Sequence, residues 1–289
     1  MWNGLYVSNN TARKRAILAP DFIHAAGQLE AGYLDLSEAY LYGSLETGTQ
    51  RTDQMETLNS CLAMGQGFIT SLWLIKDSSV NLDTGFLIVQ GQPGEFHSNR
   101  RAVHFGAANG DDDVPQEFTR DELKAAGSYF AQRMDEAEHI KGDEQIGPFK
   151  GSTRLQRALY WLEAARGQAH LPVRIALYCT CLETMLSTDT FEVTHKVAER
   201  TAVFLGTTLE EKLEIFGQVK EAYNGRSSSI HGDVLRHKST SENLRSISVQ
   251  SDELVRRAMR KVLENDDLKR TFAADKEQVD AYFAQLIFG

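Results

Sequence analysis

From Ser152 onward the chain reads as one helix after another, and that succession restricts its second half to a helical bundle. Arg154 to Arg166 carries Leu155, Leu159 and Leu162 on one stripe. Leu171-Pro172 opens the next helix, with proline in the first turn, where its missing N–H costs little. Ile175, Cys179, Leu182 and Leu186 then follow helical spacing. Asp189-Thr-Phe-Glu192 reads as the cap of a third helix that ends on Gly206. Thr208-Leu-Glu-Glu211 caps a fourth that reaches Tyr223. Ser251-Asp-Glu opens another through Leu263, and Asp275 to Ile287 forms the last. The segment 236–250, rich in Ser, Thr and Asn, reads as a long polar loop.

The first half carries a mixed signal. Residues 1–50 alternate short apolar stretches with Gly32, Gly43 and Gly48, which predicts strands and turns. From Asp53, the positions Met55, Leu58, Leu62, Met64 and Phe68 to Trp73-Leu-Ile75 predict a mostly buried helix, broken at Asp77-Ser-Ser. Gly85 to Gln90 reads as a buried strand, Gln92-Pro-Gly94 as a turn, and Arg101 to Phe105 as the partner strand. Gly110-Asp-Asp-Asp113 reads as a solvated acidic loop, because it lacks the regular ligand spacing and closing glutamate of a calcium site. Thr119-Arg-Asp-Glu122 is a capping box opening a helix to about Glu138. The polar stretch 139–150, with Gly142, Gly147 and Pro148, is the best boundary. The fold expected is mainly α: an α+β domain over 1–149, then a helical bundle over 150–289.

Charge divides along the same line. The net charge is −9, but residues 150–289 hold 20 Lys+Arg against 19 Asp+Glu, while the first 149 hold 11 against 21. The front domain is therefore acidic, and the neutral bundle has room for a local phosphate site. No apolar run approaches the roughly 18 residues of a membrane span, and Met1-Trp-Asn-Gly lacks the basic start of a secretory signal. Three cysteines (Cys61, Cys179, Cys181), two of them two apart on a predicted helix, point to reduced thiols in a cytoplasmic protein. The absence of a Cys-x2-Cys pair argues against zinc, and no cofactor motif is present.

The chemistry concentrates in Tyr223-Asn-Gly-Arg226-Ser227-Ser-Ser-Ile-His231-Gly-Asp233. Arg226 is a permanent cation that grips phosphate oxygens in a planar fork, and His231 titrates near neutral pH. Residues five apart on a straight helix sit about 140° around the axis, so the two would not share a face. Gly225 and three consecutive serines are poor helix interior and allow a helix start or kink that brings the side chains together. Two copies meeting across a two-fold axis would do the same. Read structurally instead, Arg226 partners an acid within the bundle such as Glu183, and His231 bonds backbone before Gly232. His195 and Glu199, four apart, read as a surface pair.

The run Arg174-Ile-Ala-Leu-Tyr-Cys-Thr-Cys-Leu-Glu183-Thr-Met-Leu-Ser187, then Val193 to Ala202, then Phe216 to Tyr223 leading into Arg226-Ser227 and Ile230-His231-Gly232, resembles the Apea-like branch of the HEPN superfamily. These are helical domains with an Arg-x4–6-His motif, many of them ribonucleases of prokaryotic immunity and toxin systems. The likeness covers about the second half of the chain. HEPN toxins paired with nucleotidyltransferases are less similar, since they carry tyrosine two positions after the histidine, where this chain has Asp233. The resemblance implies metal-independent RNA cleavage in a dimer, with Arg226 and His231 catalytic and Ser227 touching phosphate. Glu183 and Arg200 are expected as a bundle ion pair that orients Arg226. The front domain would then sense a trigger or restrain the nuclease. The rival expectation is a HEPN module that binds RNA or assembles complexes without catalysis.

Overall fold

A computed structural model describes residues 4–46, 50–89, 96–100, 103–112, 115–137, 150–230 and 240–289. Helix dominates: among these residues there are twelve helices and four short strands. They form two compact units, Met1–Ile69 with Asn81–Val103, and Thr70–Val80 with His104–Gly289.

In the first unit the expected strands and turns over 1–50 give way largely to helix. Strand β1 (Leu5–Ser8) pairs antiparallel with β2 (Tyr40–Gly43), Leu5 opposite Gly43 and Ser8 opposite Tyr40. Between them run α1 (Thr11–Ile17), α2 (Pro20–Ala26) and α3 (Gln28–Leu36). Local caps explain this. Asn10 accepts from the Arg13 N–H at 3.0 Å, and proline opens α2. Gly27, at φ +89°, ends α2 and begins α3 in a conformation that other residues avoid. Gly32 breaks nothing, because it lies within α3.

Helix α4 (Arg51–Ile75) begins as predicted and carries the division between the units, which falls after Ile69. By length and composition α4 is long and apolar enough to cross a membrane, contrary to the sequence reading. Polar but mostly uncharged residues interrupt its apolar positions, and 61% of its most apolar window is buried in the fold. Strand β3 (Thr84–Ile88) pairs with β4 (Phe96–Arg100), Thr84 opposite Arg100. The partner strand therefore precedes the predicted 101–105, and β3 is half-buried rather than buried because its sheet has two strands. At Gly85 a Cβ would lie 2.8 Å from Leu62, so the glycine lets β3 approach α4. Phe22 meets Phe86 and Phe96 edge-on, closing a small aromatic core. The predicted turn at 92–94 falls outside the described residues.

The second unit is the bundle. Helix α5 (Arg120–Ala137) opens with the predicted reciprocal box: the Thr119 N–H donates to Glu122 at 2.7 Å, and the Glu122 N–H donates to Thr119 Oγ1 at 3.2 Å. Then follow α6 (Arg154–Arg166), α7 (Leu171–Leu186), α8 (Val193–Leu205), α9 (Leu209–Ile230), α10 (Ser241–Leu263), α11 (Asp266–Ala273) and α12 (Lys276–Phe288). The central α7 packs chiefly on α6, α9 and α10, burying Ile175, Tyr178, Cys179 and Leu182.

Several helix ends differ from expectation. Glu192 stands before α8 in the left-handed region (φ 50°) and caps nothing with its side chain. Asp189 instead accepts from the Phe191 N–H and from Lys196. Gly206 closes α8 at φ −81°, so its glycine serves contact rather than handedness: a Cβ would lie 2.9 Å from the Ala202 carbonyl oxygen. Helix α9 continues past Tyr223 to Ile230, unbroken by Gly225 and the serines. Helix α10 starts ten residues early, capped by Thr240 accepting from the Asn243 N–H, and absorbs most of the expected loop. Helix α11, capped by Asn265, was not foreseen at all.

Residues 70–80 and 104–137 also belong with the bundle rather than with a front domain ending at 149. Arg166 donates to the Ser78 carbonyl at 2.7 Å, and its guanidinium lies 4.8 Å from the Phe105 ring centroid. The Gly106 N–H donates to the Arg166 carbonyl at 2.8 Å, and Ser248 donates to the Ala108 carbonyl at 2.6 Å. Buried Asp252 accepts from the Trp73 indole and the Tyr178 hydroxyl, both at 2.8 Å. Burial pushes the Asp252 carboxyl above its usual range, against the pull of Arg256, which stands 2.8 Å away.

Candidate functional site

The described part of the segment singled out by the sequence, residues 223–230, forms the end of α9, and Arg226 there faces Glu183 near the end of α7. Tyr223 and Arg226 are one turn apart on α9 and so share a face. That face meets Glu183 on α7. A single oxygen, Glu183 Oε1, accepts from the Tyr223 hydroxyl at 2.8 Å and from Arg226 Nη1. The Arg226 guanidinium also stands 5.6 Å from the Tyr223 ring centroid. Neither member of the ion pair is sealed off: the Arg226 side chain is 28% exposed and that of Glu183 22%.

Electrostatics fixes the protonation state of this cluster. Burial, reinforced by Glu183, holds the Tyr223 phenol far above its ordinary range, so it stays a donor. Burial works against the Arg226 charge, but the Glu183 carboxylate outweighs it, and the guanidinium is held more firmly protonated than usual. Cys179, on α7 nearby, is buried and its thiol is pushed up to about 12, although Arg226 pulls the other way. A thiol at that value is no nucleophile near neutral pH. The cluster thus offers one fixed cation with a solvent-facing side, oriented by a carboxylate that a tyrosine holds in turn.

The remaining predicted residues fall elsewhere. His231 lies outside the described residues, as does the side chain of Ser227. The expected Glu183–Arg200 pair does not form. Arg200 on α8 pairs instead with Asp280 on α12, and donates to the Leu186 carbonyl at 2.8 Å and to Thr188 Oγ1 at 3.1 Å. The reason is direction: α8 turns Arg200 toward α12, and Arg226 takes the Glu183 carboxylate. His195 is exposed and meets Phe216 edge-on at 5.5 Å, with no ion pair to Glu199. His97 is buried against Gln54, and His104 faces Asp112 at 3.1 Å. Among the described residues no group of three His, Cys, Asp or Glu side chains could hold a metal ion.

Tyr223 is the member that sequence reasoning passed over: the helix was expected to end there, and only its continuation to Ile230 sets Tyr223 and Arg226 three apart on one face. Scanned against family models, curated proteins and solved structures, the chain finds no match in any of the three.

Proposed function

We propose that this chain is a metal-independent endoribonuclease of HEPN type, with Arg226 and His231 as its catalytic pair. The observation that carries the reading is the clamp on Arg226: a carboxylate and a tyrosine hold one edge of the guanidinium while the side chain stays partly open to solvent. Held so, it neutralises charge on a phosphoryl group without having to reorganise.

In this mechanism His231 takes the proton from a ribose 2′-hydroxyl as that oxygen attacks phosphorus. The P–O5′ bond breaks, and a proton returns to the leaving 5′-oxygen. Arg226 offsets the extra negative charge of the phosphorane-like state. Ser227 donates to a phosphate oxygen, and Glu183 positions Arg226. The product ends are a 2′,3′-cyclic or 3′-phosphate and a 5′-hydroxyl. A homodimer through the bundle, a cytoplasmic setting in antiphage defence or a related stress response, and a front domain that senses the trigger complete the proposal.

One observation favours a second reading. Glu183 already neutralises Arg226, which is what a non-catalytic HEPN module that binds RNA or assembles complexes would also show. Incubating the purified chain with total RNA in EDTA and mapping product ends separates the two. Cleavage to cyclic or 3′-phosphate ends, lost in Arg226→Ala and His231→Ala with the fold intact, supports the nuclease. Binding without turnover supports the second reading, and cleavage undiminished in both variants removes this site.

A further inference from the structure

A second feature of the bundle has no part in that chemistry. The end of α4, the second half of α10 and the start of α11 line an open-mouthed cavity of about 510 Å3 within the second unit, wide enough for a small ligand or a strand lying across it. Its lining includes Lys76, Arg256, Arg257, Arg260 and Lys261, against two carboxylates, Glu253 and Glu264. Four of the five cations lie on one stripe of α10. Arg256 with Arg260, and Arg257 with Lys261, are four residues apart, so like charges face each other on successive turns.

The partners of these groups are uneven. Arg256 is taken up inside by Asp252 and Glu253. Lys76 reaches Glu122 at 2.8 Å, and Arg260 reaches Glu264 at 3.3 Å with the Tyr129 side chain as a second partner. Arg257 contacts Glu211 at 2.8 Å and the Leu205 carbonyl at 3.4 Å, both through Nη2, so its opposite edge faces away from either partner. Among the described residues Lys261 makes no direct ion pair, and Glu211 acts on it only at longer range. Its ammonium donates to the Phe204 carbonyl and lies 4.8 Å from the Phe204 ring centroid. Burial and the neighbouring Arg257 make that charge costly to hold, and Glu211 offsets them only in part. An anion seated over Arg257, Arg260 and Lys261 would relieve the repulsion between Arg257 and Lys261 and meet guanidinium forks that suit oxyanions.

We infer that this cavity binds a chain of phosphates, supplied either by a free nucleotide polyphosphate or by consecutive phosphates of an RNA strand. The inference stands whether or not the chain cleaves RNA. The test is calorimetric titration of the full chain with inorganic tripolyphosphate, and separately with a short single-stranded RNA carrying 2′-O-methyl groups, which cannot be cut. The double variant Arg260→Gln/Lys261→Gln should weaken binding of the effective probe at least about tenfold. Lys269→Gln on α11, outside the cavity lining, should leave it unchanged. Binding of tripolyphosphate alone identifies a nucleotide-like ligand, and binding of RNA alone or of both identifies a strand. A measurement on the unaltered chain stands beside the variants: the effective probe should slow acetylation of Lys261 by acetic anhydride, read by mass spectrometry. If neither probe binds, if the double variant binds as well as the original, or if Lys261 is acetylated equally fast with and without the probe, the inference is wrong.

Discussion

The coupling between Arg226 and Glu183 can be measured directly, because glutamine removes the charge of either side chain while keeping a polar end, at equal length for Glu183 and at shorter reach for Arg226. The perturbations are Arg226→Gln, Glu183→Gln and the double variant. Opposite unit charges about 4 Å apart attract by about 4 kcal/mol at an effective dielectric of 20. Each partner keeps roughly a quarter of its surface in water, and fully exposed pairs are worth only about 0–1 kcal/mol. A net coupling of about 1–2 kcal/mol is therefore expected. The Tyr223 hydroxyl, 2.8 Å from the same carboxylate oxygen, still bonds a glutamine there but loses the charge-assisted part of that bond. Urea denaturation of the four proteins gives the coupling as the departure from additivity. The cleavage assay adds a second axis. If Glu183 only positions Arg226, Glu183→Gln should slow cleavage about tenfold, equivalent to about 1.4 kcal/mol, whereas Arg226→Gln should abolish it. Additive stabilities, with coupling below about 0.3 kcal/mol, would refute the clamp as a physical unit.

Two further outcomes follow from groups remote from the site. Asp252→Ala removes the buried acceptor of Trp73 and Tyr178 and leaves Arg256 without its buried partner, so unfolding free energy should fall by about 3–5 kcal/mol, seen as a lower urea midpoint with unchanged slope; a loss under about 1 kcal/mol would contradict the network. Glu211 is held down to about 2 by the Thr207 N–H, by Arg257 and by the Thr207 hydroxyl, below its ordinary 4.5. A lowered carboxyl stabilises above its ordinary value and ceases to as pH falls through the lowered one, so the melting-temperature gap between the original chain and Glu211→Gln should be full above about 4.5 and close toward about 2.

Much of the bundle was legible because its signals are local. Apolar spacing and polar caps place α6, α7 and α12 nearly to the residue, and the Thr119–Glu122 box is read correctly from four letters. Failures came where a local signal was outweighed. Gly225 and three serines disfavour helix, yet α9 runs through the glycine and to Ile230, its preceding turns anchored by buried Val219, Ala222 and Tyr223. Ser, Thr and Asn between 240 and 250 suggest a loop, but buried Leu244 and Ile247 supply the helical period that composition hid. At the site, Arg226 with Glu183 was one of the readings open from sequence, whereas the partner of Arg200 was not. Asp280 lies 80 positions away, and nothing in the intervening spacing announces it.

The backbone from Trp73 to Ser78 and from Phe105 to Asn109 has a consequence for anyone who wishes to study the back half in isolation. Trimming the gene at Lys150 looks natural from composition, yet it would remove the Trp73 indole and the carbonyls of Ser78, Ala107, Ala108 and Asn109, which receive or give hydrogen bonds to Asp252, Arg166, Arg174, Ser248 and Arg245. The interior guanidinium of Arg166 would lose the Ser78 carbonyl it donates to, and that of Arg174 would keep only the Gln168 carbonyl. The smallest piece able to stand alone must carry that earlier ribbon with it, so the two units are better probed by point substitution in the full chain.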